Sequence, residues 1–194
     1  MNFLSHLYLS GNSEGILIGN FIADSVKGSN FSQFSPEIQQ GIIIHRKIDT
    51  FTDSHPVVEI SKERLREKYK KYSSVIVDIY YDHYLAKNWH AHSNIALNDY
   101  AQGIYQLVTK NGSILPEKSA LFAKYMIEYN ILFQYSKIEG IKRVLQGMSQ
   151  RASFVSNMEF ATQELEEYYS DFEIEFNAFF PEIQSYISEE IKKL

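Results

Sequence analysis

Apolar positions recur at helical spacing along almost the whole chain, and ionisable residues interrupt three of the resulting stripes. Leu17 and Phe21 lead into Asp24. Ile38 and Ile42 lead into His45 and Asp49. Asp78 and Asp82 precede Leu85 and Trp89 on one face. An ionised carboxylate on a core-facing stripe is costly unless something positive pairs with it. A shared cation is the economical partner for three such groups on separate helices. A metal-dependent enzyme is therefore the first expectation.

Start and stop signals divide the chain. Ser13 can cap a helix running to Val26, which Gly28 stops. Ser35-Pro36 gives a cap and an N1 proline to the helix carrying His45 and Asp49. His55-Pro56 closes that helix and opens the next, which reaches Tyr72. Ser73 or Ser74 begins the helix holding Asp78 to His90. Further helical patterns cover 97–110, 116–132, 136–149 and 157–191, with Pro181 kinking or splitting the last. The β-branched runs 42–44 and 75–77 lie inside longer 3.6-residue patterns. The expectation is an all-α, single-domain bundle of about eight helices over 1–194, without a sheet.

Composition narrows the chemistry. At 194 residues and 44% hydrophobic, the chain can bury a substantial core. The absence of cysteine excludes disulfides, Cys-ligated zinc, iron–sulfur clusters and thiol nucleophiles, and suits a reducing compartment. A net charge of -5 argues against general nucleic-acid binding. The N-terminus does not read as a signal peptide, and no stretch nears the ~20 apolar residues of a membrane span. A cytoplasmic protein bound to neither nucleic acid nor membrane is expected. No Walker loop, G-x-S-x-G elbow or H-E-x-x-H motif is present.

His45 and Asp49 stand four apart and share a helix face, as metal ligands of the Mn²⁺, Fe²⁺ or Mg²⁺ type would. The same spacing suits a His–Asp hydrogen bond that only holds the fold. Asp78 and Asp82 lie one turn apart, and His83 is rotated to a neighbouring wall. Asp24, near a helix C-terminus, is disfavoured by the macrodipole and wants an external partner. His6 reads as a core histidine and His55 as a turn residue, while His90 and His92 share no face. Arg151 could hold a phosphate or cap its helix. Residues 62–71 carry six basic side chains against two acidic ones: Lys62, Arg64, Arg66, Lys68, Lys70 and Lys71. With Val58, Leu65, Tyr69 and Tyr72 as the buried stripe, these charges should face solvent. They form either an ordinary solvated face or a docking surface for an acidic partner.

The opening MNFLSHL, the segments GNFIADSVKG (19–28), GIIIHRKIDTFTDSHP (41–56) and DIYYDHYLAKNW (78–89), the later GMSQR and Phe180-Pro181-Glu182 together resemble the acyl carrier protein phosphodiesterase family. The resemblance spans nearly the whole chain. It implies a divergent HD-type phosphohydrolase that removes 4′-phosphopantetheine from holo-acyl carrier protein. It also implies a divalent metal, manganese first and Mg²⁺ or Fe²⁺ as alternatives. Ordinary HD proteins are named for a His-Asp pair, whereas the adjacent pair here runs Asp82-His83. Carried over, Asp24, His45, Asp49 and Asp78 are the expected metal ligands, and His6 supports them from behind. Asp82 would orient water and His83 would protonate the leaving oxygen. Arg151 would touch phosphate, and the basic segment would receive the acidic carrier protein. An HD-type enzyme acting on a nucleotide or small phosphoester, and a non-catalytic helical module, are the competing readings.

Overall fold

The computed structural model describes residues 1–29 and 31–194. Among them are eleven α-helices and no strand. They are α1 (Phe3–Leu9), α2 (Glu14–Ile22), α3 (Pro36–Ser54), α4 (Pro56–Tyr69), α5 (Ser73–Lys87) and α6 (Leu97–Lys110). α7 (Glu117–Glu128), α8 (Ile131–Gln134), α9 (Ile138–Arg151), α10 (Thr162–Glu167) and α11 (Tyr169–Lys192) follow. The start signals act where expected. The Ser13 hydroxyl accepts the Ile16 N–H at 3.4 Å, and His55 Nδ1 accepts the Val57 N–H at 3.3 Å to cap α4. Ser35 stands at the N-cap of α3, but its side chain makes no capping bond. α2 ends early, in a 3₁₀ turn over Ala23–Ser25, and Gly28 follows at φ 68°.

The helix count exceeds eight for physical reasons. α1 is seven residues long and buried on almost every side, so it shows no amphipathic period. It also has no side-chain cap of its own. Asp82 of α5, fully buried, caps it from across the core. Its carboxylate accepts the Leu4 N–H at 2.8 Å, the Ser5 N–H at 3.0 Å and the Ser5 hydroxyl. These bonds satisfy N–H groups that a helix start leaves unpaired. The C-terminal pattern splits at Tyr168, while α11 runs unbroken through Pro181. Phe176, Phe179, Phe180 and Ile183 are buried on both sides of the proline, so packing holds the helix where a backbone bond is missing.

The contact that places the site lies between α2 and α3. A Cβ added at Gly19 would stand 2.0 Å from the Ile38 carbonyl oxygen, and one at Gly41 would stand 2.2 Å from that of Ile16. The two helices therefore touch backbone to backbone. Asn20 follows Gly19, and His45 lies one turn beyond Gly41, so both face each other beside the contact. α5 supplies the opposite wall through Asp78, and α1 lies between, held by Asp82. No helix among the described residues is long and apolar enough to cross a membrane.

In the basic segment Arg66, Lys68, Lys70 and Lys71 face solvent as expected, while Arg64 is half-buried. Lys62 is buried and pairs with Asp53 at 3.2 Å. Arg64 pairs with Glu175 of α11, Lys68 with Glu164 of α10, and Arg66 with Glu59 and Glu63 of its own helix. Lys62, Arg64 and Lys68 thus tie α4 to its surroundings, and Arg66 pairs within the helix. The expectation that all six cations are free to dock a partner is corrected. Among the described residues, only Lys70 and Lys71 of the six lack a carboxylate, and Lys71 lies over the Phe154 ring at 4.2 Å.

Gly41→Ala should destabilise the protein by about 1–3 kcal/mol or more, because a backbone carbonyl cannot move aside without shifting the helix. Gly103, in α6 with open space around it, is the control. Gly103→Ala should be neutral or stabilising by up to ~1 kcal/mol. Urea unfolding followed by circular dichroism measures both, and equal effects would contradict the close-contact account.

Candidate metal centre

The His6 and His45 rings stack at 4.0 Å between centroids and turn the same nitrogens the same way. Each Nδ1 approaches the side-chain oxygen of Asn20, His6 at 3.0 Å and His45 at 2.8 Å. Asn20 is buried, and its amide orientation is fixed. Its Nδ2 donates to the His6 backbone carbonyl at 3.1 Å and to the Ser10 hydroxyl at 2.6 Å, and that hydroxyl donates to the same carbonyl. A carbonyl oxygen only accepts, so the Asn20 oxygen must face the imidazoles, and both Nδ1 atoms carry hydrogen. Both Nε2 atoms are then left to point into the pocket.

They point at carboxylates. His6 Nε2 lies 3.0 Å from Asp49 Oδ1. His45 Nε2 lies 3.2 Å from Asp49 Oδ2 and 3.3 Å from Asp24 Oδ1. Ligand atoms of His6, His45 and Asp49 all fall within 4.8 Å of one another. The surrounding cavity, about 370 Å³, is lined by these residues and by Asn20, Asp24, Asp53 and Asp78. Asp78 stands apart from the cluster and accepts the Met1 ammonium at 2.9 Å.

Electrostatics follow from this geometry. Burial and the neighbouring His45 push the His6 imidazole down to about 4, against the pull of Asp49. Burial also opposes charge on His45, but its bonds to Asp24 and Asp49 outweigh burial and raise it to about 9. Burial opposes ionisation of Asp49 as well, yet the bond from the His45 imidazolium, with both rings close by, holds it well below the usual carboxylate range. The His45 bond lowers Asp24, while burial raises Asp78 against the Met1 ammonium. Without metal, one proton on His45 holds two carboxylates together. Two preset imidazole nitrogens beside several carboxylates are also the donor set of a divalent cation. The Nδ1–H bonds to Asn20 are the outer support that metal-bound histidines commonly have.

The pocket gathers Asp24, His45, Asp49 and Asp78 from three parts of the chain. His6 is not behind this group but within it, which corrects its expected supporting place. Asn20 takes that place, and sequence reasoning missed it. A buried amide on the apolar face of α2, beside Gly19, was its only signal. Asp82 and His83 do not line the pocket. Asp82 is committed to the start of α1. His83 Nδ1 donates to the Tyr135 carbonyl at 2.7 Å, and its Nε2 accepts the Tyr169 hydroxyl at 2.7 Å. With these atoms engaged elsewhere, the expected roles of orienting water and protonating the leaving oxygen are withdrawn. Arg151 lines an adjoining cavity with Lys118.

A family model described as acyl carrier protein phosphodiesterase matches residues 1–183. A curated acyl carrier protein phosphodiesterase of Photorhabdus laumondii subsp. laumondii is 31% identical, covering 93% of this chain and 92% of its own. Its namesake in Escherichia coli O157:H7 is 30% identical over 97% of this chain and 98% of its own. That of Yersinia pestis is 30% identical over 93% and 94%. No solved structure matches the chain.

In the metal-free protein, ¹⁵N spectra should show His45 cationic up to about pH 9 and His6 neutral down to about pH 4. The His45 contribution to stability is complete below its usual 6.5 and is lost as pH rises through about 9. The His6 contribution is complete above 6.5 and is lost as pH falls toward about 4. Asp49→Asn should return His45 toward 6.5. Two histidines titrating together near their usual value would contradict this network.

Proposed function

Because the chain belongs to the acyl carrier protein phosphodiesterase family, we propose that it hydrolyses the phosphodiester joining 4′-phosphopantetheine to the serine of holo-acyl carrier protein. Water adds to phosphorus as the serine oxygen leaves. Its hydroxyl stays on 4′-phosphopantetheine, and its proton restores the serine of the apo protein. The carrying observation is the convergence of His6 Nε2, His45 Nε2 and Asp49, with Asp24 beside them, in one open pocket.

His6, His45 and Asp49 would hold a divalent cation, manganese in our reading, with Asp24 adjoining and Asp78 on the far wall. Such an ion supplies charge neutralisation on phosphoryl oxygens and a lowered pKa for water. Asn20 keeps both imidazoles in the one tautomer that can bind it. Asp49 spans the two rings, one oxygen to each. Asp24, the most exposed acid of the group and bonded to a single imidazole, has room to accept the proton of the attacking water. The HD-type character implied by the sequence rests on this His/Asp set and not on the Asp82-His83 pair. A negatively charged carrier protein would be met by Lys70 and Lys71, the cations of that segment left without carboxylates. We place the reaction in the cytoplasm, with the whole chain acting as one domain.

Mass spectrometry of holo-acyl carrier protein before and after incubation with the protein and Mn²⁺ should show loss of the 4′-phosphopantetheine mass. An unchanged mass would overturn the reading. Asp49→Ala should abolish the loss while the helical circular-dichroism signal persists. Asn20→Leu should weaken Mn²⁺ binding by roughly 10–100-fold, as loss of an outer-shell partner does. Calorimetric titration with Mn²⁺ checks this directly.

A further inference from the structure

A second cavity, about 450 Å³, opens beside the metal pocket. The two share Asn2, Phe3, Phe21, Asp24 and Met148 as lining residues, so they adjoin. We propose that this second cavity is the seat of the pantetheine arm. The proposal rests on the reading of the metal pocket as the hydrolytic site. A phosphodiester held there has two substituents, one the carrier protein and the other a flexible chain. The protein stays outside, and the arm needs a channel that starts at the phosphorus.

The cavity suits that chain in size, polarity and layout. Its volume is in the range of small-molecule sites, and its walls are mostly apolar with a few polar groups, the usual pattern for such sites. Two cations, Arg151 and Lys118, line this cavity. Arg151 lies one helical turn beyond Met148, which lines both cavities. Lys118 precedes Ser119, whose hydroxyl donates to Ser25 at 2.7 Å and so joins α7 to the turn carrying Asp24. Among the described residues, no carboxylate pairs with either cation, so both are available to a phosphoryl group. Phe122, stacked on Phe3 at 4.1 Å, and Ile131 and Val144 offer apolar surface to the dimethyl group and methylenes of the arm. The buried Tyr135 hydroxyl accepts the Asn2 amide at 2.9 Å, and its own proton has no acceptor among the described residues. It is placed to donate to an amide carbonyl of the arm. The cavity thus offers two cations and one free hydroxyl proton among mostly apolar walls.

The test is calorimetric binding of 4′-phosphopantetheine, pantetheine and inorganic phosphate to the full chain, with and without Mn²⁺. Wild type should bind 4′-phosphopantetheine more tightly than either fragment. Val144→Phe, which fills the cavity from α9, should weaken both pantetheine ligands roughly tenfold or more and leave inorganic phosphate unaffected. Arg151→Gln should weaken 4′-phosphopantetheine more than pantetheine. Methyl NMR of the unaltered protein covers the case in which Val144→Phe fails to fold. The Ile131 and Val144 methyls should shift with 4′-phosphopantetheine, and the remote Ile60 and Ile174 methyls should not. Absence of those shifts, or unchanged affinity in both variants, would overturn the arm site even if holo-acyl carrier protein is cleaved. Clear shifts without cleavage would instead uphold the arm site and overturn hydrolysis.

Discussion

The backbone contact between α2 and α3 is the constraint on which the site depends. Glycine at 19 and 41 lets each helix meet the other's carbonyl oxygens with no side chain between. Helix axes ordinarily stand 8–10 Å apart, with the spacing set by side chains at the contact. Removing those side chains brings the helices close enough for one short amide, Asn20, to reach His45 from the neighbouring helix. A wider spacing would leave the Asn20 oxygen bound to His6 alone. The nitrogen geometry of the pocket is thus set by the smallest residues near it.

The three interrupted stripes show carboxylates partnered in three ways. A carboxylate withdrawn from water requires positive partners, and it can find them in an ion, in imidazolium or in backbone N–H groups. Asp24 and Asp49, both still partly open to water, bond imidazole nitrogens at an open pocket, and Asp78 holds the Met1 ammonium. Asp82 uses the free N–H groups of α1. Its burial holds its carboxyl up to about 6, against the pull of those bonds. The same pattern in the sequence therefore marked both an open-pocket cluster and a structural clasp, and only the partner tells them apart.

That distinction explains how far the chain could be read in one dimension. The longer helices were legible because caps and apolar periods are local. Convergence of Asp24, His45, Asp49 and Asp78 was legible because charge on a core-facing stripe is anomalous wherever it occurs. The role of His6 was not, since α1 is too short and too evenly buried to show a face. Asn20 was hidden for a related reason: an uncharged amide raises no alarm in an apolar run. In the segment 62–71 the partners Asp53, Glu59 and Glu63 are near in sequence, whereas Glu164 and Glu175 stayed hidden because they lie about a hundred residues away.

The clasp between Asp82 and α1 also orders events in time. α1 carries His6, yet the residue that secures its start is made 77 positions after Ser5. As the chain emerges from the ribosome, α2 and α3 can pair soon after synthesis, because they are neighbours in sequence. The first helix, although made earliest, has no stable seat until α5 exists. An isolated seven-residue helix does not persist in water. A nascent chain that has reached only α3 or α4 therefore holds Asn20, His45 and Asp49 without their second imidazole, and the His/Asp cluster is assembled only after the fifth helix is made.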